Sequence, residues 1–134
     1  MDKYTLRQYR HLLREIEDLE REKKLILDKY LAPPQPTGMP GAHNATDRIG
    51  DVVARREKYQ RLIDAKLDEL IDMRERIEVA IAQLPAEDRR IIRLRYIDGR
   101  SWARIADILH YSVQHVWRRH GQALLKLSQE DERL

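Results

Sequence analysis

Cysteine and phenylalanine are absent from the 134-residue sequence, and aromatic residues make up only 6% of it. The absence of cysteine excludes disulfides, thiolate zinc sites and cysteine nucleophiles. No apolar run approaches the length of a membrane span, and the charged start MDKYTLRQYR differs from a secretory signal. Charged residues reach 37%, which is typical of long, solvent-exposed helices. We therefore expect a cytoplasmic protein that has a small core and does not bind membranes.

The motifs of enzymes and metal sites are also missing. The five histidines include no HExxH motif and no pair at i, i+4, and there is no glycine-rich phosphate loop. Acidic residues in the first half of the chain alternate with basic ones, as they do on solvent-exposed helix faces. We expect no catalytic residues, no metal and no cofactor.

Positive charge is concentrated towards the C-terminus. The stretch from Arg89 to Lys126 contains nine bases and two acids, whereas the preceding part of the chain contains 16 bases and 18 acids. Such a concentration is typical of a surface that binds a polyanion, here double-stranded DNA. The alternative is a solvated basic face that has no partner.

Residues 4–30 predict one long helix. Apolar residues recur there with the heptad spacing of coiled coils, interrupted by Lys23. Thr5 and Gln8 have the spacing of a capping box, which predicts the start of the helix at this point.

A segment rich in proline and glycine, residues 32–46, predicts a linker to a second helix. Asp47 can cap that helix, and Pro85 can end it near Leu84. Residues 1–84 are then an antiparallel, coiled-coil-like hairpin for oligomerisation or partner binding. Its apolar stripes are wider than a two-helix seam requires, so the C-terminal lobe or a second copy of the chain must cover the excess.

Residues 85–134 predict three shorter helices. Gly99 stands where a helix-terminating glycine belongs, and Ser101 and Ser112 each stand at the N-cap of a helix. A turn that begins with His110 is so short that the last two helices must cross steeply, and histidine tolerates the left-handed conformation required. The predicted fold is therefore all-α, a long hairpin followed by a helix-turn-helix lobe.

This lobe resembles a known family. LPAEDRRIIRLRYIDGRSWARIADILHYSVQHVWRRHGQALLKL is similar to the fourth conserved region of primary sigma factors, which binds promoter DNA. The chain as a whole resembles phage-encoded regulators of the ArpU/RinA type, in Thr37-Gly38-Met39-Pro40, Ser101-Trp102, Tyr111-Ser112, His120-Gly121 and Ala123-Leu124. The resemblance implies an activator of phage late transcription, with double-stranded DNA as its partner and RNA polymerase as a candidate partner.

The exposed amino end of the last helix is the expected reading surface. Glutamine can pair with adenine, arginine with guanine, and valine can touch a thymine methyl. The candidates for base contact are Val113, Gln114, His115, Trp117 and Arg118. The sigma resemblance places three of them, Val113, Gln114 and Trp117, at base-contacting positions, although a tryptophan is as often a packing residue.

Candidates for phosphate contact flank this surface, and they are Arg100, Ser101, Arg104, Ser112 and Arg119. Arg119 occupies a position that is usually apolar in the family. Either the helix turns slightly there, or the side chain extends past the core to a phosphate.

These features favour a sequence-specific transcriptional regulator, a phage late-gene activator by resemblance, with a homodimer formed through the hairpin. One alternative is a phage small terminase subunit, which also joins a helix-turn-helix to oligomerising helices. Another is a helical adaptor that does not bind DNA. A ring-sized oligomer would favour the terminase, and a monomer or dimer would favour the regulator.

Overall fold

The protein is described by a computed structural model over residues 1–31 and 45–132. Within these ranges it is all-α and has no strand, which confirms the predicted hairpin followed by shorter helices. The helices are α1 (Lys3–Leu31), α2 (Ala45–Ile81), α3 (Ala86–Ile92), α4 (Trp102–Leu109) and α5 (Val113–Glu132). The predicted linker lies outside the described residues, except that positions 45 and 46 already belong to α2. None of the described helices is both long enough and apolar enough to span a membrane.

The cap of α1 is Asp2. Its carboxylate oxygen Oδ1 accepts hydrogen bonds from the backbone N–H and from the hydroxyl of Thr5, both at 2.8 Å. These bonds hold the pKa of the Asp2 carboxyl below its usual value. The prediction that Thr5 opens a capping box is therefore wrong, because Thr5 is the third residue of the helix and Asp2 already satisfies its N–H.

The second helix ends three residues earlier than expected. After Ile81 the chain makes a turn in which the Leu84 N–H donates to the Ile81 carbonyl oxygen at 3.0 Å. Pro85 then stands at the N-cap of α3 rather than inside it. Proline suits this place because it has no N–H to leave unsatisfied.

The chain divides into two compact units. The hairpin unit is Arg14–Glu69, and the helix-turn-helix unit combines Met1–Leu13 with Leu70–Leu134. This division differs from the predicted boundary between residues 84 and 85. The first turns of α1 and the last turns of α2 belong with the three short helices.

Within the hairpin unit the two helices run antiparallel, as predicted. Lys66 Nζ donates to Glu15 Oε2 at 2.7 Å, and Lys23 Nζ donates to Gln60 Oε1 at 2.6 Å. The contacting residue in α2 therefore has a lower number as the residue in α1 has a higher one, which is the pairing of antiparallel helices. The lysine that interrupts the heptad pattern is accommodated because Gln60 accepts from it.

The helix-turn-helix unit draws its core from all five helices. Leu6, Ile77, Ile91, Ile105 and Val116 come one from each helix in chain order, and each is fully buried. Burying an aliphatic side chain of this size contributes about 1.5–3 kcal/mol. The surface described next is therefore supported by residues from both ends of the chain.

Candidate nucleic-acid interface

Both predicted serine caps are present at the helix starts. Ser101 Oγ accepts a hydrogen bond from the Arg104 N–H at 3.1 Å, and Ser112 Oγ accepts one from the His115 N–H, also at 3.1 Å. The two serines are exposed. The amino ends of α4 and α5 are thus held open to solvent, where helix amides favour an anion such as phosphate.

The turn between α4 and α5 has the predicted left-handed residue. His110 has φ 59° and ψ 42°. Its N–H donates to the Asp107 carbonyl oxygen at 3.3 Å, and the Tyr111 N–H donates to the Ala106 carbonyl oxygen at 3.0 Å. This pair of bonds is the Schellman motif, which normally uses glycine where His110 stands. It ends α4 at Leu109 and lets α5 start three residues after His110, at Val113.

The turn before α4 depends on Gly99 and on a residue distant in sequence. Gly99 has φ +68°, a conformation that favours glycine. Arg10 NH1 donates to the Ile97 carbonyl oxygen at 3.0 Å, and its guanidinium covers the glycine. A Cβ at Gly99 would lie 2.6 Å from Arg10 Cζ. Gly99 was predicted from the sequence, whereas Arg10 was not, because it belongs to no recognisable motif.

A π-helical turn, Arg93–Ile97, joins α3 to this glycine. The Asp98 N–H donates to the Arg93 carbonyl oxygen at 2.9 Å, which is the i→i+5 pattern. At the start of the turn, Arg93 NH2 forms an ion pair with Glu78 Oε2 at 2.6 Å, and this contact holds the pKa of the Glu78 carboxyl low. Nothing in the sequence indicated that this turn would be π-helical, with one residue more than an α-helical turn.

A buried histidine lies behind the start of α4. His120 is only 7% exposed, and its Nε2 shares a hydrogen bond with the Tyr96 hydroxyl at 2.6 Å. The Trp102 ring meets the His120 ring edge-on at 4.6 Å, and the Arg95 guanidinium covers Trp102 at 4.5 Å from the ring centroid. Burial lowers the pKa of His120 to about 4, and nearby positive charges add to the effect. Burial also raises the pKa of Tyr96.

Three of the five predicted base-contacting side chains lie open on α5. Gln114, Trp117 and Arg118 are exposed, and Trp117 is 53% exposed, so it is not a packing residue of this unit. Val113 is half-buried against the core of the unit, and His115 is half-buried with its ring 4.4 Å from that of Tyr111. The exposed three form one surface at the amino end of the helix.

The predicted phosphate-contacting residues divide into two groups. Arg100 and Arg104 are exposed beside the capping serines. Arg119 instead turns to the start of α3, where its Nε donates to Asp88 Oδ1 at 2.9 Å and its NH2 lies 3.3 Å from Glu87 Oε2. Neither alternative weighed for Arg119 included this acidic pair.

The acidic pair at the start of α3 also holds the turn. The Asp88 side chain is only 3% exposed, and its ion pair with Arg119 at 2.9 Å gives it a partner there. A hydrogen bond to Glu87 raises the pKa of the exposed Tyr111 phenol. Glu87 therefore contacts both the turn and α5, and the two acids fix α5 against α3.

Over residues 1–31 and 45–132 there is no group of three histidine, cysteine or acidic side chains that could hold an ion.

One comparison with known proteins bears on this surface. Residues 74–127 match the family model of Sigma-70, region 4, a segment that runs from the last turns of α2 into α5 and includes both helices of the helix-turn-helix. The comparisons with curated proteins and with solved structures found no match. The predicted similarity to a sigma-factor helix-turn-helix is thus confirmed over less than half of the chain. The match supports a DNA-binding regulatory function.

Proposed function

We propose that the protein is a sequence-specific DNA-binding regulator of transcription that reads a duplex with the amino end of α5. One observation carries the proposal: Gln114, Trp117 and Arg118 are exposed together behind the Ser112 cap, within the segment that matches Sigma-70, region 4. In helix-turn-helix proteins this end of the second helix enters the major groove. Glutamine and arginine are the side chains that pair bidentately with adenine and guanine.

The phosphate contacts of the proposal come from the other helix of the motif. Arg100 and Arg104 lie exposed at the open amino end of α4, where they can meet the backbone that borders the groove. Arg119 has a structural partner in Asp88, so it is the weakest of the predicted phosphate contacts.

The finer role is that of a phage late-gene activator that contacts RNA polymerase. It rests on the resemblance of the chain to ArpU/RinA-type regulators. We propose in addition that the protein acts as a homodimer through its hairpin unit. Ile49, Val53 and Leu67 are 55%, 46% and 36% exposed there, which leaves apolar area for a second copy to cover. Light scattering would decide, since a monomer contradicts the dimer and a ring-sized particle favours a small terminase subunit.

Binding selections on random duplexes test the reading surface. We expect Gln114→Ala and Arg118→Ala each to cost roughly 1–3 kcal/mol on the preferred site while non-specific binding is unchanged. Gln122→Ala is the matched control, because Gln122 is exposed on the same helix about 12 Å further along.

If both variants keep the wild-type consensus at full affinity, these side chains do not read bases. Absence of any duplex binding at low salt would instead contradict the proposed function as a whole.

A further inference from the structure

The first turns of α1 carry bases that the match to Sigma-70, region 4 does not include, since that match begins at residue 74. Lys3 and Arg7 are exposed, and Arg10 is half-buried. The sequence interpretation assigned this segment to the hairpin. In the structure it belongs to the helix-turn-helix unit.

Two hydrogen bonds anchor this end of α1 to the unit. Arg10 NH1 donates to the Ile97 carbonyl oxygen at 3.0 Å, in the turn just before α4. The N-terminal ammonium of Met1 donates to the Leu127 carbonyl oxygen on α5 at 3.0 Å. The Arg10 bond therefore fixes α1 against the turn that leads into α4, and the Met1 bond fixes the start of α1 against α5 at Leu127.

The positions of the two exposed bases follow from these anchors. Arg7 lies one helical turn before Arg10, and Lys3 one turn before Arg7, so both lie on the side of α1 that faces the anchored turn. The charges of Lys3, Arg7 and Arg95 all contribute to the lowered pKa of His120, which agrees with that placement. Arg95 in turn donates from NH1 to the Arg100 carbonyl oxygen at 3.0 Å.

The two bases also lack an ion-pair partner among the residues that the structure describes. Further along α1, Arg21 is paired with Asp18 at 2.7 Å. Lys3 and Arg7 have no such carboxylate partner among the described residues. Unpaired cations beside a second cluster of bases are unfavourable alone, and a polyanion relieves that repulsion.

We infer that Lys3 and Arg7 extend the duplex-binding surface beyond the helix-turn-helix, as phosphate contacts that continue the line of bases from Arg100. This inference rests on the proposed function, because it needs a duplex at the amino end of α4. As phosphate contacts, the two side chains would hold the duplex independently of its base sequence. Arg10 acts as the positioning residue.

The test uses the full chain and a double variant, Lys3→Gln with Arg7→Gln. Its affinity is measured by fluorescence anisotropy for the selected duplex and for an unrelated duplex over a range of salt concentrations. Each lost phosphate contact lowers the slope of log K against log salt by about one, so we expect a decrease of about two and equal weakening on both duplexes. The matched control is Lys24→Gln with Lys29→Gln, which removes two exposed bases of the same helix from the hairpin unit and should change neither quantity.

The outcomes separate this inference from the proposed function. Wild-type binding with an unchanged slope in the double variant overturns the phosphate role of α1 and leaves the reading surface intact. Weakening on the selected duplex alone also overturns it, because phosphate contacts do not discriminate sequences. Failure of the wild type to bind any duplex overturns both proposals. Charge reversal by Arg7→Glu should cause a larger loss of affinity than Arg7→Gln. Circular dichroism checks that each variant remains folded.

Discussion

Mild acid should destabilise the helix-turn-helix unit because of His120. The imidazole is neutral in the folded state, where burial lowers its pKa from 6.5 to about 4. In the tautomer in which Nε2 accepts from the Tyr96 hydroxyl 2.6 Å away, protonation also removes the lone pair that this hydrogen bond uses. Since the unfolded chain binds this proton more readily than the folded one, stability is fully present above the unfolded pKa and falls as the pH decreases towards the folded one.

The size of the effect follows from these two pKa values. Lowering the pH from about 7 to about 5 should remove about 2 kcal/mol from the free energy of unfolding, and the total loss below about pH 4 should be about 3 kcal/mol. This is a large fraction of the stability of a small domain, which is about 5–15 kcal/mol.

Urea denaturation followed by tryptophan fluorescence measures this loss in the right place, because Trp102 and Trp117 both belong to the helix-turn-helix unit. His120→Gln keeps a polar group near Tyr96 but cannot titrate, so its stability should fall less steeply than that of the wild type. His11→Gln removes an exposed imidazole and is the control. If His120→Gln and the wild type lose stability in parallel between about pH 7 and pH 5, the histidine is not the cause and the reasoning is refuted.

Three further substitutions test contacts that stabilise the helix-turn-helix unit. Gly99→Ala should destabilise the protein by about 1–2 kcal/mol, because φ is +68° and the added Cβ would displace Arg10. Urea titration measures the loss, and an unchanged midpoint would contradict the left-handed turn. Asp88→Asn and Arg119→Gln should each cost about 1–3 kcal/mol and be strongly non-additive in the double variant, since both break one contact of 2.9 Å. If Arg119→Gln leaves stability unchanged and instead lowers the salt slope of DNA binding by about one, Arg119 is a phosphate contact after all.

Local sequence signals identified the helix ends of the motif because each end is set by one or two neighbouring residues. Ser101 and Ser112 cap their helices, and His110 adopts the left-handed conformation, as predicted. At Asp2 the same type of reasoning chose the wrong residue. Aspartate and threonine are both competent caps, and which of them begins the helix depends on where the chain becomes helical.

The contacts that sequence reasoning missed are those between residues far apart in the chain. Arg10 and Gly99 meet across 89 positions, and Asp88 and Arg119 across 31. Arginine is common on exposed helices of this sequence, so neither arginine differs by type or spacing from its solvated neighbours. For Arg119 there was a weak signal, a base at a usually apolar position. Its partner could be recognised only after α3 and α5 had been placed side by side.

The boundary between the two units also depends on contacts between residues far apart in the chain. Pro85 and the short helices after it suggested a self-contained lobe, because proline interrupts the helical pattern there. The structure groups the lobe with residues 1–13 and 70–84, since bonds cross that boundary at each end of it: Arg93 to Glu78, and Arg10 to Ile97. A helix can thus end at a proline while the packing continues through it. The unit that positions the reading helix therefore includes the first residues of the chain, and this is the basis for the inference that Lys3 and Arg7 contribute to DNA binding.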